Sequence, residues 1–165
     1  MKSLSKTITI ALVLSLVLLA GQAQAQTETR TNTSYTGVQI LLPTGDAGDA
    51  YDTGWGITGS SRFVMGRTFD LIVEGGYYYL PGTDYTYEGE TLEVENMDGL
   101  SFLVGGLFDL GAVELGAKGG YYFLDLHEWD LMPMAQVTFG RFSVGGEYKM
   151  LGSTNWGAGF VKFRW

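Results

Sequence analysis

From residue 35 to the C-terminus the chain alternates. Apolar positions, rich in Val, Ile, Phe, Tyr and Trp, recur every second residue and are punctuated by Gly and Asp. A period of two places successive side chains on opposite faces of an extended strand. The pattern predicts eight strands, at 35–43, 55–65, 68–80, 97–108, 112–124, 130–139, 142–151 and 156–165. The connections between them run 11, 2, 16, 3, 5, 2 and 4 residues. The even-numbered connections are tight turns: Gly66-Arg67, Asp109-Leu110-Gly111 and Gly140-Arg141. In an up-and-down sheet one end then carries turns and the other carries loops, the asymmetry of transmembrane barrels. A weak hairpin repeat supports this: Glu74-Gly-Gly-Tyr-Tyr-Tyr-Leu80 is echoed by Lys118-Gly-Gly-Tyr-Tyr-Phe-Leu124. Pro133 falls inside the sixth strand, removes a ladder hydrogen bond and predicts a bulge or strand end.

The two faces differ in charge. One parity set (Val38, Ile40 and Leu42; Trp55 to Met65; Phe69 to Tyr79; Leu100 to Phe108; Val113 to Phe123; Leu131 to Phe139; Phe142 to Met150; Gly157 to Trp165) holds no charged residue. The other holds Arg62, Asp70, Glu74, Glu114, Lys118, Glu147, Lys149, Lys162 and Arg164. A soluble sandwich or barrel would turn the charged set outward and enclose the rest. That would force about forty side chains, many aromatic, into a lumen that eight strands leave only just wide enough for ordinary side chains. The inverse arrangement fits: uncharged set to lipid, charged set inward. A Lys or Arg on the lipid face near mid-depth costs roughly 2–4 kcal/mol, which gives the exclusion a physical cause.

Depth is an independent check. The outward set places Phe63, Phe69, Phe108, Phe139, Phe142, Phe163 and Trp165 at the turn level. It places Trp55, Tyr77, Tyr79, Tyr121, Phe123 and Tyr148 at the loop level, with Trp129 and Trp156 beside them. Two aromatic girdles around an aliphatic band match the interfacial preference of amphipathic rings.

The N-terminus reads as an address. Lys2 and Lys6 precede a 13-residue apolar run, Ile8 to Ala20, and Ala23-Gln24-Ala25 fits a small-x-small cleavage site. The run is shorter than the ~20 residues of a spanning helix, so residues 1–25 are expected to be a cleaved secretory signal. Residues 26–34 form a polar lead-in and 35–165 the barrel domain. The full chain carries 10 basic against 18 acidic residues, net −8; without Lys2 and Lys6 it is 8 against 18, net −10. That balance argues against nucleic acid, whose phosphates need clustered cations. With no cysteine and one histidine, disulfide frameworks, thiolate metal sites and histidine-rich sites are excluded. No cofactor is implied.

With these residues in place, the mature chain resembles the small eight-stranded outer-membrane barrels of the OmpA/OmpX type. The last strand, Trp156 to Trp165 (WGAGFVKFRW), is similar to the signal by which such barrels are recognised for assembly, with Trp165 as the closing aromatic and Phe163 two before it. The family's usual glycine would fall at Phe160, and here Gly159 stands beside it. The resemblance implies a Gram-negative-type outer membrane, turns in the periplasm and loops outside. It also implies contact with outer-membrane lipid and lipopolysaccharide and recognition by the barrel-assembly machinery. It does not fix an activity.

Three candidate chemistries remain. The inward ions are expected to form a salt-bridge network that fills the narrow lumen, because buried ions must be paired or hydrated. Near the loop end Tyr78, Leu80, Tyr122, Leu124, Met132, Met134, Ala158 and Phe160 share the inward parity. They are expected to pack together. The alternative is a pocket for small hydrophobic molecules formed by Tyr78, Tyr122, Met132, Met134 and Phe160. The loops are acidic (Asp46, Asp49, Asp52; Asp84, Glu88, Glu90, Glu93, Glu95) and lack Lys and Arg. Divalent cations suit such oxygen ligands, although no 12-residue calcium-loop pattern is present. His127 with Asp125, Glu128 and Asp130, and Ser153 one loop later, offer the residue types of a lipid-modifying hydrolase without supporting spacing. The expected role is therefore structural or surface-interacting, and not enzymatic.

Overall fold

A computed structural model describes residues 32–87, 90–151 and 154–165. The expected signal segment 1–25 and most of the lead-in lie outside the described residues. Among the described residues there are ten strands and one short helix: β1 (Thr33–Thr44), α1 (Ala47–Ala50), β2 (Gly54–Val64), β3 (Phe69–Leu80), β4 (Tyr85–Tyr87), β5 (Glu90–Leu92), β6 (Met97–Asp109), β7 (Glu114–Leu124), β8 (Glu128–Phe139), β9 (Phe142–Tyr148) and β10 (Asn155–Arg164). Eight of them close a barrel in the order β1-β10-β9-β8-β7-β6-β3-β2, and every neighbouring pair is antiparallel. Closure removes the unpaired sheet edges that a membrane interior cannot tolerate. The eight expected strands are these eight. Polar residues Thr33 and Ser34, placed in the lead-in, already belong to β1.

The alternation holds around the whole wall. Along β1 the pattern switches residue by residue, with Gln39 and Leu41 buried and Val38, Ile40 and Leu42 exposed. Phe102, Val104, Val144 and Val161 likewise face outward on β6, β9 and β10. Aromatic rings sort by depth. Phe139, Phe142 and Phe163 form one run near the turns, with centroid separations of 6.3 and 5.4 Å. Trp55 packs on Tyr77 and Tyr79, and Tyr121 on Phe123 and Trp129, near the loops. The tight turns use glycine where the backbone enters the left-handed region, at Gly111 (φ 92°) and Gly140 (φ 59°).

Four expectations are corrected. Trp156 is not a girdle residue: it faces inward and is fully buried, because it shares parity with Ala158 and Phe160. Leu124 does not face inward: it adopts φ 68° at the end of β7, which breaks the alternation and leaves it exposed. Pro133 neither bulges nor ends its strand, and β8 runs through it with Ala117↔Pro133 in register. Its missing N–H points to the β9 side, where the ladder has stopped at Met134↔Glu147. The long loops also carry structure that the alternation did not signal: the single turn α1 and the hairpin β4–β5. The first two loops are tied together by Thr83 N–H to Ala50 O and Asp52 N–H to Pro81 O, both 2.9 Å.

Candidate functional site: the barrel lumen

The inward side chains stack in layers. Nearest the turns, the Arg62 guanidinium bridges Asp70 and Glu114. Glu114 also accepts from Gln136 Nε2 (2.7 Å) and Thr138 Oγ1 (2.9 Å), so its charge is held by an ion pair and two neutral donors. A small apolar cluster follows, of Ile72, Leu107, Met134 and Phe160. A cavity of about 10 Å³ between these layers touches Tyr35, Ser60, Arg62 and Lys162 and has room for one water.

The middle layer is ionic and buried. Lys118 Nζ lies 2.5 Å from Glu74 Oε1 and 2.6 Å from Glu147 Oε2, and Lys162 Nζ lies 2.5 Å from Glu74 Oε2. Gln39 Nε2 donates to the other Glu147 oxygen at 3.0 Å. Two ammonium groups thus face two carboxylates, and the layer is neutral. Charge-assisted hydrogen bonds of this kind are the strong ones, and satisfying every ion is what makes burial tolerable.

Above it, Tyr78, Tyr122 and Trp156 pack ring against ring, with centroids 5.6, 6.2 and 5.7 Å apart, and all three are fully buried. Leu41, Leu80, Leu103 and Met132 belong to this cluster, and Tyr122 OH donates to the Met132 sulfur at 3.0 Å. Leu126 from the third loop is part of it, and Tyr51 from the first loop packs onto it. Burial and the Asp125 carboxylate together raise the Tyr51 phenol pKa. At the mouth, buried Lys149 meets Glu128 and, at 2.8 Å, Asp130. It also donates to the carbonyls of Leu151 (3.1 Å) and Thr154 (2.7 Å) and lies over the Trp156 ring.

Eight of the nine predicted inward ions enter these layers. Arg164 is half-buried at the turn end of β10, where its backbone N–H donates to Arg141 O. The five residues proposed for one hydrophobic pocket do not meet. Tyr78, Tyr122 and Met132 lie in the upper cluster, Met134 and Phe160 in the lower one, and the ionic layer lies between. The reason is glycine placement: a Cβ at Gly145 would sit 2.6 Å from Phe160 Cζ, and one at Gly56 would sit 2.9 Å from Tyr78 Cδ1. Phe160 and Tyr78 thus each occupy the space of a neighbouring inward glycine, on opposite sides of the ionic layer. Among the groups at the mouth, three escaped the sequence reading, and the neutral partners Gln39, Gln136 and Thr138 of the lower layers did so as well. Asp130 and Trp156 carry the inward parity and were legible; Glu128 lies before the expected start of its strand.

The acidic loop residues Asp46, Asp49, Asp52, Asp84, Glu93 and Glu95 are exposed. Among the described residues no three carboxylate or histidine side chains converge on a point that could hold a metal ion. His127 is exposed; Ser153 lies outside the described residues. Phe163 and Trp165 sit on the lipid face, and Trp165 Nε1 donates to Thr36 Oγ1 at 3.2 Å, pinning the last residue across the β1–β10 seam.

A closed, antiparallel, eight-stranded barrel with an apolar outer wall and an ionic lumen is a transmembrane β-barrel. No family model matches the chain, and no curated protein matches it in sequence. Solved structures do resemble it. A de novo designed transmembrane β-barrel matches with a TM-score of 0.53 at 14% identity, covering 84% of this chain and 99% of the design. Ail, the attachment invasion locus protein of Yersinia pestis, matches with a TM-score of 0.52 at 13% identity, covering 81% of this chain and 97% of Ail. Ail is an OmpA/OmpX-type barrel, so the resemblance expected from the strand pattern holds at the level of the fold.

Proposed function

We propose that this protein is an outer-membrane barrel with a non-conducting lumen, and that its role is structural or surface-interacting rather than enzymatic. The observation that carries this reading is the uninterrupted stack of buried layers from Arg62 to Lys149. Any ion path would have to break the neutral Glu74–Lys118–Glu147–Lys162 layer and displace Tyr78, Tyr122 and Trp156. The signal-like N-terminus supports export, and the acidic loops would face the exterior, with lipid and lipopolysaccharide against the wall. Recognition by the barrel-assembly machinery rests on Phe163 and Trp165 at the exposed end of β10.

The decisive experiment is planar-bilayer recording of the folded protein. The expected trace is flat; large, stable single-channel steps overturn the reading. A heat-dependent shift in electrophoretic mobility tests the barrel itself, and unchanged lipid hydrolysis or acyl transfer in His127→Ala, at background level, tests the absence of enzyme chemistry.

A further inference from the structure

The exposed charges divide between the two ends of the barrel. Among the described residues those of the loop end are carboxylates, Asp46, Asp84 and Glu95 among them, and the loop-end lysine, Lys149, is buried. The exposed cations, Arg67 and Arg141, stand in tight turns. Arg67 has an acidic neighbour, because the Asp109 N–H donates to Thr68 O at 2.8 Å. The strands around Arg141 are different: residues 131–146 and 148–165 contain no Asp or Glu. The turn end of β8, β9 and β10 therefore carries arginine and no acidic side chain of its own.

Two arginines stand opposite each other there. The ladder between β9 and β10 ends in the pair Phe163↔Phe142, and one step further the Arg164 N–H donates to Arg141 O at 2.7 Å. The next N–H, that of Trp165, turns the other way, to Ser34 O on β1. Like charges on directly opposed positions of a ladder repel. An anion shared by the two guanidinium groups converts that repulsion into charge-assisted hydrogen bonds, and the planar fork suits phosphate oxygens. One step toward the bilayer, Phe139, Phe142 and Phe163 form a continuous outward run, with centroids 6.3 and 5.4 Å apart, and Trp165 is exposed beside it. Rings at this level sit among headgroups and the first acyl carbons. The cation pair and the ring shelf together match a molecule with a phosphate at one end and hydrocarbon directly behind it.

We propose that the turn-side rim of β9 and β10 binds an anionic phospholipid of the turn-side leaflet, with its phosphate between Arg141 and Arg164 and its acyl chains along Phe139, Phe142 and Phe163. The loop end offers that phosphate no exposed Lys or Arg among the described residues. Both arginines lie at headgroup level, so the lipid reaches them within its own leaflet and the barrel stays closed. The site is independent of whether the lumen conducts.

The test is quenching of Trp165 fluorescence by brominated lipid, in vesicles with the same composition in both leaflets. Trp55→Phe with Trp129→Phe removes the exposed loop-level fluorophores and leaves Trp165 with the buried Trp156. This parent is reconstituted in phosphatidylcholine, and phosphatidylglycerol brominated near the carbonyl end of its chains is compared with phosphatidylcholine brominated alike. Two partly exposed charge-assisted contacts predict a preference of about fivefold for phosphatidylglycerol at Trp165. Arg141→Gln with Arg164→Gln should bring the two lipids to parity, and Arg67→Gln should leave the preference unchanged. If the double variant does not fold, Arg141→Gln alone, in its exposed turn, should lower the preference about twofold. Equal quenching by both lipids in the parent overturns the proposal, and so does a preference that survives loss of the arginines or falls as far in Arg67→Gln. A second arm titrates inorganic phosphate onto the parent in neutral detergent. A saturable change in Trp165 emission there, without any lipid preference in vesicles, assigns the arginine pair to free phosphate and overturns the lipid.

Discussion

Lys118→Met removes the ammonium that joins Glu74 to Glu147 and keeps a side chain of similar length. Glu74 then retains only Lys162, at 2.5 Å, and Glu147 retains only the neutral Gln39 amide, at 3.0 Å. The layer passes from two cations and two anions to one cation and two anions, in a part of the lumen where Glu74 and Lys118 have no solvent exposure. Breaking a buried pair by removing one partner costs about 3–5 kcal/mol, because the remaining charge is left uncompensated. At 1.4 kcal/mol per decade this weakens the folding equilibrium by a factor of roughly 150 to 4,000. The assay is equilibrium urea unfolding in vesicles, followed by tryptophan fluorescence, with electrophoretic mobility as a second probe. Adding Glu147→Gln restores neutrality, and the double variant should recover more than half of the loss, a coupling that a double-mutant cycle isolates. A single variant that loses less than about 1 kcal/mol, or a double variant whose losses simply add, would refute the view that this layer is a closed and mutually dependent unit.

Other outcomes follow from the same geometry. Trp156→Ala empties the centre of the upper cluster and should cost about 3–5 kcal/mol in the same unfolding assay, whereas an exposed girdle residue would not behave so. Val104→Lys, on the lipid face, should cost roughly 2–4 kcal/mol, while Leu103→Lys one position away would add an unpaired cation inside the lumen. Gly145→Ala places a Cβ 2.3 Å from Ala135 O and 2.6 Å from Phe160 Cζ, and overpacking of that kind should cost about 1–3 kcal/mol; Gly59→Ala, with nothing within 4 Å, should stay within about 0.5 kcal/mol. Pro133→Ala supplies the missing donor to β9 and should slow amide exchange at Tyr148 and Met150, and faster exchange there would contradict the seam geometry.

Alternation made the fold legible. Nine charged residues on one parity and none on the other fix which face meets lipid, and the observed burial along β1, β2 and β6 repeats that parity residue by residue. Assignments made by residue type instead of parity went wrong. Trp156 has the residue type of an interfacial ring but alternates with Ala158 and Phe160, and Asp130, the first residue of the expected sixth strand, groups by type with the acidic loop residues but alternates with Met132. Contact between strands was less legible than facing. Tyr78 and Phe160 share a parity, but which of them lies above the ionic layer depends on strand tilt and on glycines such as Gly56 and Gly145 that make local room. The hairpin β4–β5 pairs three residues with three, too short a run for periodicity to register.

The lumen ions do more than fill space. In water, burying Leu41 or Phe102 would be equally favourable wherever it removed apolar surface, and the two residues could exchange roles. Against a hydrocarbon exterior that driving force vanishes between inside and outside, because lipid solvates an apolar side chain as well as the lumen does. Ile40 and Leu41 therefore carry no information about which way β1 should face. Glu74, Lys118, Glu147 and Lys162 do. A one-residue slip of any strand that carries them turns a charge into the bilayer, and it also leaves the partner ion unpaired in the lumen. For Lys118 or Lys162 the first of these alone costs roughly 2–4 kcal/mol near mid-depth. The ionic layer thus sets register and facing for β3, β7, β9 and β10 at once, and the apolar clusters above and below it can then be filled by whatever shapes the neighbouring glycines admit.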